Sequence, residues 1–337
     1  MKTVAFPIQR MELRDEHDND LNAPLLGLSD DSDWVLSGPY DEDRSLIRNT
    51  FVHAINQQTA PWAPATRFVE FYYNTNGGAL DKTSEYMGLY ALKEHVKINS
   101  ERIDISSLSP NDNLEPTVTG GYLFEINNPK VGDLSWKTTR SQVPFIHIEP
   151  HPDTLTLEQQ NYIQAYVQDF ENAAFSADFK NPETGYRAFL DTDSLINHHM
   201  LRFLVDEPQG FVVSEFWFKD RGGKLQQGPV WDSDRALENP HDQYDFFPTP
   251  TRMFTTSYFN PPAFTYEAVW LRQLFLDEDF VQDWVDRWQE LRQDIFTVEN
   301  FIHLLTPWWV KSPKRRCVTS NVGRKALTVP TPKQNQA

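Results

Sequence analysis

Residues 211–234 read FVVSEFWFKDRGGKLQQGPVWDSD. An aromatic and β-branched run, Phe211 to Lys219, meets the turn Asp220-Arg221-Gly222-Gly223 and returns as Lys224 to Trp231. Such residues suit a pleated, half-buried surface. The Gly-Gly pair supplies the positive φ that a tight hairpin turn needs. The stretch therefore reads as a β-hairpin, and it places a sheet in the half of the chain that otherwise reads as helical. It leaves two carboxylates, Asp232 and Asp234, at a strand end.

Working outward, a helix is expected upstream from about Ser194 to Val205. Another is opened by the capping-box pair Thr156 and Gln159 and runs to about Ala174. Gly121 to Ile126 and Val143 to Glu149 read as strands, as do Arg67 to Tyr73 and Met87 to Glu94. The apolar spacing of Leu46, Ile47, Phe51, Val52 and Ile55 predicts a helix from Ser45 to about Gln57. Residues 1–44 read as an extended acidic segment. Downstream of an aromatic loop, 244–263, helical periodicity covers Tyr266–Leu276 and Asp279–Phe296. Strands and helices come in mixed runs rather than strict alternation, which predicts an α+β class.

The chain has 337 residues, 39% hydrophobic and 13% aromatic, well above the depletion that leaves a chain unfolded. One elaborated domain over residues 1–305 accommodates these elements. The net charge of −17 argues against a broad surface for nucleic-acid phosphates or anionic lipid, while leaving room for a local basic pocket. Cys317 is the sole cysteine, so no intrachain disulfide forms and no thiol-rich metal site exists. No run approaches the roughly 18 apolar residues of a spanning helix. The first twenty residues lack the apolar core of a leader peptide, which points to a cytoplasmic chain or one without its leader.

Several residues could carry chemistry. Asp232 and Asp234, at i and i+2 on a strand end, can both reach one hard cation, since Mg²⁺ takes a few carboxylates together with phosphate oxygens. Solvated loop carboxylates explain the same spacing. In Glu94-His95-Val96-Lys97, a Lys steadied by a Glu would orient phosphates, because a fixed ammonium stabilises their charge only if it cannot wander. An exposed ion pair is the bland alternative. Arg48, on the first helix, points either into a cleft or to water. His198 and His199 project about 100° apart on a helix, so they read as structural rather than as joint ligands of one ion.

A series of blocks in order resembles the CotH family of protein kinases, which includes spore coat protein H. They are Leu26-Gly27-Leu28 with Asp33-Trp34-Val35-Leu36, Ser45-Leu46-Ile47-Arg48-Asn49, Thr66-Arg67-Phe68-Val69-Glu70, and Gly88-Leu89-Tyr90-Ala91-Leu92-Lys93-Glu94. Gly120-Gly121-Tyr122, Phe218 to Lys224, Gly228-Pro229-Val230-Trp231-Asp232 and Leu274-Phe275-Leu276-Asp277 followed by Asp286 to Arg292 continue the series. The resemblance covers roughly residues 10–305. It implies a divergent protein-kinase-like fold that binds ATP with Mg²⁺ and phosphorylates serines on secreted or coat proteins, and it suggests a secreted or cell-surface setting. Asp232 then takes the place of the metal-binding aspartate of a kinase, with Asp234 as a second metal candidate. Glu94, Lys97, Arg48 and Trp231 become candidate nucleotide-binding residues.

The family's catalytic aspartate falls on Gln209. An amide can hydrogen-bond a substrate hydroxyl but cannot accept its proton, so a pseudokinase is one expectation. Asp206 or Glu207 could substitute as the base after a loop shift. A non-catalytic surface-binding or adhesion module is an alternative from another class, and a hydrolase built on the 232/234 pair a third.

Residues 306–337 differ from the rest. From 311 onward the chain holds seven of the 31 Lys and Arg and none of the 48 Asp and Glu, with Pro313, Pro330 and Pro332 interrupting any regular element. A disordered basic tail and an aberrant segment left by a reading-frame change both fit. The second would leave apolar surface uncovered near Trp284 and Trp288.

Overall fold

The computed structural model describes residues 8–38, 43, 47–74, 78–81, 83–207, 213–237 and 266–310. The first layer is a four-stranded antiparallel sheet ordered β1-β4-β6-β5, built from β1 (Ile8–Glu12), β4 (Asp33–Ser37), β5 (Thr66–Tyr72) and β6 (Tyr86–Glu94). The short strands β2 (Ala23–Pro24) and β3 (Asp30–Asp31) pair beside it. Two of the four strands therefore come from the leading segment that the sequence marks only as extended. Trp34 and Leu36 of β4 are buried with Tyr90 and Leu92 of β6 and Leu28, forming this layer's own apolar cluster.

Between β4 and β5 lies α1 (Arg48–Thr59). Its start falls three residues later than the periodicity predicts, where the Asp43 carboxylate accepts from the Arg48 backbone N–H at 2.7 Å. That bond satisfies one of the orphan donors of a first helical turn.

A five-stranded antiparallel sheet, β11-β10-β7-β9-β8, makes the second layer. It contains β7 (Tyr122–Ile126), β8 (Ser135–Lys137), β9 (Pro144–Glu149), β10 (Glu215–Lys219) and β11 (Leu225–Gln227). The hairpin forms as read, with Trp217 opposite Gln227 and Lys219 opposite Leu225. Its strands are shorter than the pattern suggests. β10 begins only after Ser214, at φ +58, and residues 211 and 212 lie outside the described residues. β11 stops at Gly228, whose φ of +128 is open to glycine, and Pro229 has no N–H to extend the ladder. At the turn, a side chain on Gly120 would meet the Asp220 carbonyl carbon at 1.9 Å, so glycine there permits a close backbone approach.

The helices α2 (Leu157–Ala174), α3 (Thr192–Leu204), α4 (Tyr266–Leu274) and α5 (Glu278–Leu291) pack on this sheet. Both bonds of the expected capping box are present at the start of α2, between Thr156 and Gln159. The helix expected over 279–296 ends at Leu291, and α6 (Val298–Val310) follows, packing on α1. Trp284 is buried, stacks on Trp288 and donates from its indole N–H to His199 Nδ1 at 3.0 Å. The basic run from 311 to 337 lies outside the described residues. Among the described residues, no helix is long and apolar enough to cross a membrane. The architecture is mixed α+β, as the run of elements predicts.

Candidate functional site

The two layers meet where the chain leaves β6 and where it leaves the hairpin. Val96, Ile98 and Ile103 pack against Leu123 and Phe216 of the second sheet, with Trp231 alongside. The Ile98 N–H donates to the Glu149 carboxylate at 2.8 Å. The hairpin exit, residues 230–234, therefore sits against both layers.

That exit loop is held by side chains from two helices. From α1, Asn56 Oδ1 accepts from the Val230 N–H at 2.9 Å and Asn49 Oδ1 accepts from the Ser233 N–H at 2.6 Å. From α3, Arg202 donates to the Trp231 carbonyl at 2.7 Å and to Ser233 Oγ at 3.0 Å. Asp232, between them, has a φ of +56, an uncommon conformation for a residue with a side chain. Fixed neighbours on either side sustain it. Arg202 is itself paired with the buried Glu215 at 2.7 Å, and Glu215 also meets His198 and Gln227.

Facing this loop is Lys93 of β6, almost wholly buried, with Nζ 4.2 Å from the centre of the Trp231 ring. Burial pushes its ammonium down to about 8, against the raising effect of Asp232 and Asp234. His53 of α1 stacks on the other partner of that contact, the Trp231 ring, at 5.7 Å. Burial, with the Lys93 and Arg202 charges near it, keeps His53 well below its ordinary value and hence neutral. A buried ammonium, an aromatic face and two partly exposed carboxylates thus converge on one strand end.

The expected site residues divide. Trp231, Asp232 and Asp234 lie together at this junction. Glu94 and Lys97 do not form the pair the sequence suggests. Glu94 accepts from the Ser29 N–H and hydroxyl and from the Ala65 N–H, while Lys97 Nζ binds Asp33 at 2.5 Å and Asp31 at 3.3 Å. Successive strand residues point to opposite faces, so Lys93 and Glu94 are turned apart. Arg48 is tied to Asp43 at 3.1 Å, while its neighbour Asn49, with Asn56 and His53 of the same helix, meets the loop. Gln209 lies outside the described residues. Near it, Glu207 is buried and Asp206 partly so, at φ +49.

Sequence reading passed over Lys93, Arg202, Glu215, His53 and the two asparagines. One signal was available: a lysine inside an otherwise apolar strand, GLYALKE, is out of place unless it has a task. Arg202 and Glu215 carry no local pattern, because their partners are remote in sequence.

Among the described residues, no cluster of three or more His, Cys, Asp or Glu could hold a metal ion by itself. Asp232 and Asp234 could supply two carboxylates, and a hard cation would need its remaining oxygens from a ligand. That donor set suits Mg²⁺ with phosphate. A family model described as CotH kinase protein matches residues 6–311 of the chain. No curated protein matches it.

Proposed function

The chain belongs to the CotH kinase protein family, and from that premise we propose that it is an ATP- and Mg²⁺-dependent, protein-kinase-like domain whose phosphate site is the junction of Lys93, Trp231, Asp232 and Asp234. The observation that carries this reading is Lys93: an ammonium buried against an aromatic ring, with two partly exposed carboxylates acting on it. Burying a charge is costly unless something anionic meets it, and ATP phosphates are such a partner. When bound, Mg²⁺–ATP would bring the transferable phosphoryl group and the cation that neutralises its charge. Lys93 would hold phosphate oxygens, and Asp232 with Asp234 would hold the cation. The bonds from Asn49, Asn56 and Arg202 keep residues 230–233 in place beforehand, so little reorganisation is needed at the moment of reaction.

The acceptor in this reading is a serine of a secreted or coat protein. Gln209 stands where the family's base would be, and its amide can orient a hydroxyl without taking the proton. Transfer is therefore weak, or it uses Asp206 or Glu207 as the base. Radiolabelled phosphate incorporation into the protein and a serine-rich peptide tests this. Gln209→Asp is expected to raise incorporation by about 10²-fold. Strong incorporation by the natural sequence, untouched by changes at 209, would show that another group is the base.

A further inference from the structure

Arg202 is one of the largest fully buried side chains, and its bonds run in two directions. Forward, it donates to the Trp231 carbonyl and to Ser233 Oγ, the residues on either side of Asp232. Backward, it pairs with Glu215, the first residue of β10, whose carboxylate is also engaged by His198 and Gln227. A buried ion pair is weak evidence for stability, because apolar side chains of similar volume often do as well. What apolar residues could not supply is the pair of donors that brackets Asp232 in its left-handed conformation.

We propose that Arg202, held by Glu215, is a positioning residue that fixes the Asp232 carboxylate for the divalent cation. The inference rests on the nucleotide and cation reading above. Residues behind a metal ligand set its orientation, and losing them typically weakens metal binding about 10- to 100-fold. Lysine at 202 keeps the charge beside Glu215 but lacks the planar fork that reaches two acceptors at once. The same Arg202 carbonyl accepts from the Glu207 N–H, so α3 joins the metal loop to the segment leading towards residue 209.

The test is a double-mutant cycle on the full chain. Thermal shift with ATP is followed over a Mg²⁺ titration for the natural sequence, Arg202→Lys, Asp232→Asn and the double variant. Arg202→Lys is expected to raise the Mg²⁺ concentration for the half-maximal shift about tenfold or more. The double variant is expected to match Asp232→Asn alone, because one residue acts through the other. Losses that simply add, or a Mg²⁺ response untouched by Arg202→Lys, overturn the inference while leaving the site assignment standing. A natural sequence with no Mg²⁺-dependent ATP shift overturns the site reading and this inference with it. Should Arg202→Lys fail to fold, Ser233→Ala removes one of the two bracketing bonds. It is expected to move the Mg²⁺ midpoint in the same direction by less, and an unmoved midpoint counts against the proposal.

Discussion

Two lysines four residues apart, Lys93 and Lys97, are both placed among carboxylates, yet their surroundings differ in kind. Lys97 belongs to a closed network. It pairs with Asp33 and Asp31, and Asp31 is further engaged by Arg102 at 3.5 Å and by Asn99 at 2.6 Å. Arg102 in turn donates to the carbonyls of His95 and Asp33. Cation and anion answer each other within the fold, tying the strand exit to the leading segment. Lys93 is more deeply buried, rests on a ring rather than in a direct ion pair with Asp232 or Asp234, and is driven towards its neutral form. Mutually paired charges of this kind serve the fold. A buried charge with incomplete compensation is costly to the fold and is more often found at functional sites.

The contrast gives its largest expected effect on phosphoryl chemistry. Lys93→Met should cut Mg²⁺-dependent ATP binding and any phosphate transfer by about 10²-fold, the order seen when one preorganised charge-stabilising donor is removed. Lys97→Met should leave both within a few-fold. Equal losses from the two variants would erase the distinction. Isothermal titration with Mg²⁺–ATP measures the first quantity and radiolabel transfer the second.

A smaller effect concerns pH. Burial pushes the Lys93 ammonium down to about 8, below the roughly 10.4 of a free lysine. ATP affinity should therefore fall as pH rises above about 8, by about tenfold per unit once the neutral form dominates. Bound phosphate would itself favour the charged form and move the midpoint upward. Stability of the free protein runs the other way. Between about pH 8 and 10 the unfolded chain binds more protons than the folded one, so this group's contribution becomes more favourable with rising pH. Lys93→Met should flatten part of that rise in pH-dependent denaturation. Lys219, also pushed down to about 8 by burial, acts in the same direction.

The smallest effect is on stability at neutral pH, where the two lysines should differ in sign. Replacing Lys97, which is partly exposed, should cost about 1 kcal/mol. Replacing Lys93 by the similarly sized, uncharged Met should be neutral or stabilising, since it removes a desolvated charge. Urea denaturation of both variants measures this, and a clear loss of stability in Lys93→Met would mean that the ammonium serves the fold.

What was legible in the sequence follows the range of each interaction. The hairpin and the capping box of α2 were readable because turn glycines and Thr156 with Gln159 act within a few residues. The first sheet was half readable. β5 and β6 show aromatic strand patterns, but β1 and β4 gain their identity from pairing with each other, and β4 from pairing with β6 more than fifty residues further on. The Asp232 end of the site was visible as a motif at a strand exit. The Glu94 and Lys97 pair suggested by closeness in sequence does not form, because Lys97 lies beyond the end of β6 and turns to Asp33 and Asp31 of the leading segment. Arg202, Glu215, Asn49 and Asn56 were invisible for a related reason: only the packing of α1 and α3 brings them to the loop.

In the proposed reading, phosphate and cation bind at the Lys93 and Asp232 junction. A crystal structure with Mg²⁺ and a non-hydrolysable ATP analogue tests it most directly. The account predicts phosphate oxygens within hydrogen-bond reach of Lys93 Nζ, with the cation on the Asp232 carboxylate and the Lys97 network unchanged. Phosphates seated on Lys97, or a cation bound away from Asp232, would contradict it.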